Sequence, residues 1–234
     1  MGSLKVFDSD SLPDKELIST GLRSLDAAGV FLPVPGLVEI FGLPGSGKTL
    51  LSMLFKPEIF IDVENSLTGS WLRLWSPDTK VVKGYEWSEV KDFLERVVDK
   101  VRLVVVDSVA SLDFEDERPG SMSRNLGGWV VKWAPRLTNT CIVLVNHVRF
   151  EFTGSYYPAM SSPGGMGIKH AADLRLKVKK GDYKSKVWHE SLVEVVKSKV
   201  GRSGGSGSVF FNLKTGEVSD QRPTRGKGVD DEEV

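Results

Sequence analysis

The chain is poor in several things at once. It has one cysteine and three histidines in 234 residues, its charges cancel, and it has no long apolar run. Each shortage excludes something. The single cysteine, Cys141, cannot close an internal disulfide, so the expected setting is a reducing one, the cytoplasm. Without a long apolar segment there is no signal peptide or membrane span to assign. Lys+Arg and Asp+Glu both number 31, so any attraction for nucleic acid must come from a local patch rather than the global charge. No internal repeat is visible.

What is present suits a single α/β domain of ordinary composition. Short apolar runs end in polar or glycine-rich punctuation: 37–41 before a glycine loop, 59–63, 101–106 before Asp107, and 141–145 before Asn146. Such runs read as buried strands of a mainly parallel sheet. Strand 173–179 alternates Leu174, Leu176 and Val178 with Arg175, Lys177 and Lys179, which suggests a sheet edge with one solvated face; 192–196 and 209–213 are further strands, expected antiparallel. Helices are expected over 49–54, cut short by Pro57, over 87–98 with a Ser88 cap, and over 123–137, limited by Pro135. The expected fold is a doubly wound α/β core over 21–220, behind an arm over 1–20. A Gly/Ser-rich flexible loop is expected at 201–208 and a solvated acidic tail at 221–234.

Gly42, Leu43, Pro44, Gly45, Ser46, Gly47, Lys48 and Thr49 match the phosphate-binding pattern G-x-x-x-x-G-K-[ST]. Its glycines turn backbone N–H groups toward phosphates, its lysine pairs with the β/γ oxygens, and its hydroxyl ligates Mg²⁺. The strand before it and the helix after it are the context the motif needs. Asp107, at the end of another apolar strand, is the second metal-holding acid. Asp62 and Glu64 end the 59–63 strand. Glu64, further out, is the better candidate to orient or deprotonate water.

These residues sit in a wider frame that resembles the RecA recombinase family over about 17–218. Ile18 to Gly21 with Ser24-Leu25-Asp26, then Gly36 to Gly42, is similar to that family's entry to the phosphate loop. Phe60 to Glu64 resembles the strand with its catalytic glutamate, and Val105 to Leu112 its Walker B strand. Asn146-His147-Val148-Arg149 stands in the place of Asn-Gln-Ile-Arg. Pro163-Gly164-Gly165 with Lys169 closes what would be a second DNA loop, and Val196-Lys197-Ser198-Lys199 resembles the lysine pair that reaches a neighbouring subunit's ATP.

The resemblance implies a RecA-like P-loop fold and an ATP- and Mg²⁺-dependent, DNA-stimulated ATPase. It would assemble as a homo-oligomer or filament on single-stranded DNA and pair it with duplex DNA. It further implies that His147 senses the γ-phosphate and that Trp71 stacks on adenine. DNA contacts are implied for Arg118 and Arg124 in a first loop, 114–125, and for Arg149, Phe150, Phe152, Tyr156, Tyr157, Gly164, Gly165 and Lys169 in and around a second, 150–163. Exposed aromatics among Gly, Ser and Pro suit stacking on bases.

Three departures stand out. Histidine replaces glutamine at 147, only nine residues separate Thr49 from the next strand, and the family's flanking N- and C-terminal elements find no match. A minimal core of this kind leaves open a viral recombinase or a paralogue. The alternatives are a RadB-like accessory protein that binds ATP and a recombinase partner, and a hexameric helicase-type motor. The latter would need an arginine finger, for which Arg202 is the one weak candidate. Retention of Glu64, Lys197 and Lys199 favours the enzyme.

Overall fold

A computed structural model describes residues 8, 10, 14–116, 118–151 and 159–224. The first described elements are β1 (Glu16–Ser19), α1 (Arg23–Ala27) and β2 (Phe31–Val34). The two strands pair antiparallel, so β1 belongs to a folded ribbon although it lies in the expected arm. Asp26 closes this entry by accepting hydrogen bonds from the Ser19 and Thr20 hydroxyls and the Thr20 N–H.

The α/β core follows as β3 (Gly36–Gly42), α2 (Lys48–Leu54), β4 (Ile59–Asp62), α3 (Gly69–Trp75), β5 (Lys80–Lys83), α4 (Trp87–Val97), β6 (Leu103–Asp107), α5 (Gly128–Trp133) and β7 (Cys141–Asn146). A small ribbon of β8 (Arg149–Glu151) and β9 (Ala159–Ser161) comes next. The chain then forms α6 (Gly165–Ala171), β10 (Leu174–Lys180), β11 (Trp188–Ser198), β12 (Ser206–Asn212) and β13 (Val218–Ser219). Nine of these strands make one sheet in the order β13-β12-β11-β10-β3-β7-β6-β4-β5. From β10 to β5 it is parallel, and from β10 to β13 antiparallel.

The core lies on both faces of the sheet, and strand alternation sorts side chains between them. Val38, Ile40, Phe60, Val105 and Val143 join one cluster, which includes Leu50, Leu51 and Met53 of α2. Leu37, Ile61, Val104, Val106, Ile142 and Leu144 join the other, with Val90 and Leu94 of α4 and Trp129 and Val130 of α5. This two-sided burial is why the central strands read as continuous apolar runs.

Four expectations need correction. β10 is not an edge: it lies between β3 and β11. Its alternation arises because one face is buried while Lys179 and Lys180 are exposed on the strand's outer end. Ser88 does not cap α4; Glu86 holds the N-cap position without a side-chain hydrogen bond, and the Ser88 hydroxyl donates to Glu115. The 201–208 segment is only partly a loop, since Ser206–Ser208 already runs in β12. There the missing side chain of Gly207 lets α1 approach: a Cβ would lie 2.6 Å from the Ser24 carbonyl oxygen. The expected helix over 123–137 is a π-turn at Ser123–Gly127, then α5, then a 3₁₀ turn around Pro135. The helix after the phosphate loop is, as expected, two turns long.

Candidate functional site

Parallel strands β3, β4, β6 and β7 all point their C-terminal ends the same way, and the phosphate-loop residues sit there. Gly47 is the N-cap of α2, with φ of 92° in the left-handed region, and glycine reaches that conformation without steric cost. Lys48 is buried, and its Nζ donates to the Leu43 carbonyl at 2.9 Å, folding back across the loop. Burial pulls its pKa down, while the charges of Asp107 and Glu64 oppose that shift.

Thr49 Oγ1 donates to Asp107 Oδ2 at 2.5 Å, so the hydroxyl and the acid that ends β6 converge on one point. Burial pushes the Asp107 carboxyl up to about 6, with Glu64 adding to the rise and the Thr49 hydrogen bond and Lys48 opposing it. Two hard oxygen donors beside a phosphate loop are the donor set Mg²⁺ takes when nucleotide oxygens and water complete its shell. Among the described residues no group of three or more His, Cys, Asp and Glu forms a separate metal cluster.

Asp62 and Glu64 part company after β4. The buried Asp62 accepts from the Ser66 and Leu67 N–H groups and pairs with Lys83 at 3.5 Å, holding the turn in shape. Glu64 points to the site, where its Oε1 meets His147 Nε2 at 3.1 Å and accepts from the Ser111 hydroxyl at 3.1 Å. Burial pushes its carboxyl up, but the hydrogen bonds from His147 and Ser111 outweigh this and leave it below the usual range. His147 follows β7, and its N–H donates to Asn146 Oδ1. Trp71 lies on α3, half-buried against the first core cluster and 6.1 Å from the Trp75 ring.

Sequence reading missed a buried polar network next to this site. The fully buried Glu39 accepts from Arg175 Nε at 2.6 Å and from Asn146 Nδ2 at 3.0 Å. Arg175 also donates to Ser162 Oγ and stacks 4.8 Å from the Phe41 ring centre. Asn146 Nδ2 also donates to the Pro163 carbonyl at 2.8 Å. The signal was an acid in the middle of the apolar run 37–41, facing a basic residue on a neighbouring strand.

Of the residues assigned to DNA, Arg118 and Arg124 both bind Asp116, at 2.8 Å each, and Arg124 also donates to the Pro119 carbonyl. Hydrogen bonds from the two arginines hold the Asp116 carboxyl far below its ordinary value. Gly164 and Gly165 open α6, where Gly165 faces Ser123 and Gly164 faces Met122, so the closing ends of both expected loops meet. Lys169 donates to Ser161 Oγ at 2.6 Å. Arg149 and Phe150 lie on β8, paired with Ser161 and Met160. Phe152, Tyr156 and Tyr157 lie outside the described residues.

Lys197, on β11, and Lys199, just past its end, turn to the same element. Their ammonium groups donate to the Lys169, His170 and Ala171 carbonyls, capping the C-terminus of α6, and Lys199 also lies 3.6 Å from Asp173. Lys199 is level with Leu37, five residues before Gly42, and Lys197 with Glu39, three residues before it. That is about 17 Å and about 10 Å of strand away, respectively, from the glycine-rich loop of their own chain, and two strands to the side of it.

The described residues contain no helix long and apolar enough to cross a membrane. The chain matches the family model for the RecA N-terminal domain over residues 1–205. Protein RecA of Delftia acidovorans (strain DSM 14801 / SPH-1) is 29% identical, covering 84% of this chain and 62% of that relative. Protein RecA of Thioalkalivibrio sulfidiphilus (strain HL-EbGR7) is 30% identical, covering 84% of this chain and 66% of its own length. The chain therefore spans just under two thirds of these relatives. A glycine-rich loop of the phosphate-binding pattern after the central strand, acids at the ends of β4 and β6, and a family match over most of the sequence agree: the chain belongs to the RecA family, with its α/β fold of a mainly parallel sheet and antiparallel C-terminal strands.

Proposed function

We propose that this protein is a DNA-dependent ATPase of recombination, which binds ATP with Mg²⁺, assembles on single-stranded DNA and pairs it with duplex DNA. The observation that carries the reading is the convergence of Lys48, Thr49, Asp107, Glu64 and His147 at one end of the sheet. Thr49 and Asp107 would hold Mg²⁺, which when bound with ATP neutralises charge on the phosphate oxygens.

Lys48 leaves the Leu43 carbonyl to pair with the phosphates. Glu64, kept ionised by its hydrogen bonds, orients and deprotonates the attacking water. His147 replaces the glutamine of its relatives' motif and bonds directly to Glu64, so a γ-phosphate that engages His147 also frees the acid. Trp71 would lie against the base. Lys197 and Lys199, remote from their own phosphate loop, would serve the nucleotide of an adjacent copy, which makes assembly a condition of full turnover.

Two expected DNA loops that close against each other at 122–123 and 164–165 suit a single strand lying across both, and Arg149, Phe150, Phe152, Tyr156, Tyr157 and Lys169 are the residues proposed to meet it. One observation favours the second reading, a RadB-like accessory protein: Arg118 and Arg124 are both already engaged by the one carboxylate of Asp116. ATP turnover with and without single-stranded DNA separates the two, alongside electron microscopy with a non-hydrolysable ATP analogue. Stimulated turnover and filaments are expected; unstimulated turnover with monomers would support the accessory protein, and rings the helicase-type motor. Lys48→Ala should abolish nucleotide binding, and wild-type turnover by that variant would refute the site.

A further inference from the structure

The back of the phosphate loop is built by the first residues of β11, the antiparallel strand that starts at the same end of the sheet and runs away from it. His189 and Ser191 are two apart on it and therefore share a face. That face lies directly under Ser46 and Gly47. Ser191, fully buried, donates its hydroxyl proton to the Ser46 carbonyl at 2.8 Å. A Cβ on Gly47 would collide with the Ser191 hydroxyl and the His189 imidazole, so Gly47 is required by these two neighbours as well as by its φ. His189 Nε2 is sealed from solvent and completes no hydrogen bond; the Ser46 hydroxyl is in the same state.

We infer that His189 is a positioning residue of the phosphate loop, and that its conversion from imidazole to imidazolium strengthens the loop's hold on a nucleotide polyphosphate. The inference rests on the nucleotide reading above. A neutral ring fills the space behind Ser46-Gly47 and leaves the Ser46 carbonyl to Ser191. A protonated ring offers that carbonyl a second donor and places a positive charge directly behind a loop whose other side would face phosphate oxygens.

The surroundings set the balance. Burial is the largest influence on His189 and pulls its pKa below the ordinary value, the Ser46 carbonyl favours the proton, Lys180 at the end of β10 opposes it and Glu190 beside it on β11 favours it. From β12 the residue opposite is the uncharged Phe211. Bound polyphosphate adds negative charge in front of the ring, so ligand and proton assist each other. By linkage, each unit by which the ligand raises the imidazole pKa is about a tenfold gain in affinity on acidification.

The test uses the full chain and ADP in EDTA, which keeps metal ions, and hence the metal-holding role of Asp107, out of the measurement. The titration midpoints of His147, His170 and His189 are followed by NMR with and without ADP. In parallel, ADP affinity is measured by calorimetry between about pH 5 and about pH 8 for the wild type and His189→Gln. The His189 midpoint is expected to rise on ADP binding, and the wild type to gain affinity on acidification by a factor the variant lacks. A role confined to packing would move neither. ADP binding with an unmoved His189 midpoint would overturn this inference alone, even if the variant fails to fold, because that measurement needs only the wild type. No ADP binding at any pH would overturn the nucleotide reading together with it.

Discussion

Replacing Asp107 by asparagine should stabilise the nucleotide-free protein while removing its hold on metal. Asp107 is 8% exposed, and burial raises its carboxyl pKa from 3.8 to about 6. A folded-state pKa above the unfolded value means the native state binds the proton more tightly. Stability is therefore lost as pH rises through the window from 3.8 to about 6. At 1.36 kcal/mol per unit, the charged carboxylate costs the fold about 3 kcal/mol at neutral pH and above.

Asparagine is close in size, carries no charge and can still accept from Thr49. In metal-free buffer, thermal melts at about pH 8 should place Asp107→Asn roughly 6–12 °C above the wild type, at about 2–4 °C per kcal/mol for a chain of this size. The gap should shrink to about half its free-energy value near pH 5 as the wild-type carboxyl takes up a proton. The same variant should lose the Mg²⁺-dependent part of its ATP affinity. A variant that melts at or below the wild type at about pH 8 would refute the assignment of a buried, destabilising charge to this position, as would a gap that ignores pH.

Glu64→Gln should bind nucleotide nearly as the wild type does but turn it over about 10²–10⁴-fold more slowly in single-turnover assays, because a neutral amide cannot take the proton from water. Arg175→Met strands the fully buried Glu39 carboxylate and should lower stability by about 3–5 kcal/mol in urea titrations; an unchanged midpoint would show that the pair is not closed in solution. Gly207→Ala drives a methyl group into the Ser24 carbonyl of α1 and should cost about 1–3 kcal/mol by the same titration.

Much of this was legible in the sequence because the signals are local. The phosphate loop is contiguous, and the strands around it are apolar on both faces, so their ends, with Asp107 and Glu64, could be located from composition alone. The short α2 followed from Pro57. What stayed hidden depends on which strands become neighbours. Arg175 and Glu39 are 136 residues apart, and nothing in either segment names the other. His189 and Ser191 look like ordinary strand residues until β11 folds back under the phosphate loop. The alternation of β10 was read as an edge because period-two patterning reports how a face is covered, not how many strands flank it. Helix α3 escaped because its seven residues, Gly69–Trp75, are too few for a helical period to stand out. The arginines of the first loop were visible, but their common partner Asp116 was not weighed with them.

The Glu39–Arg175–Asn146 cluster also acts as a lock on strand register. β10 lies beside β3 with Arg175 opposite Glu39, and β7 lies on the other side with Leu144 opposite the same residue. Sliding β10 by one residue would turn Arg175 to the opposite face of the sheet, leaving a carboxylate in the core without its cation. Apolar strands such as 37–41 and 141–145 tolerate many pairings, since valine against isoleucine packs much the same in either frame. A single charged contact at the centre of the sheet removes that freedom. It aligns the end of β3, and with it the phosphate loop, against the end of β7 and the close of the second loop at Ser162-Pro163.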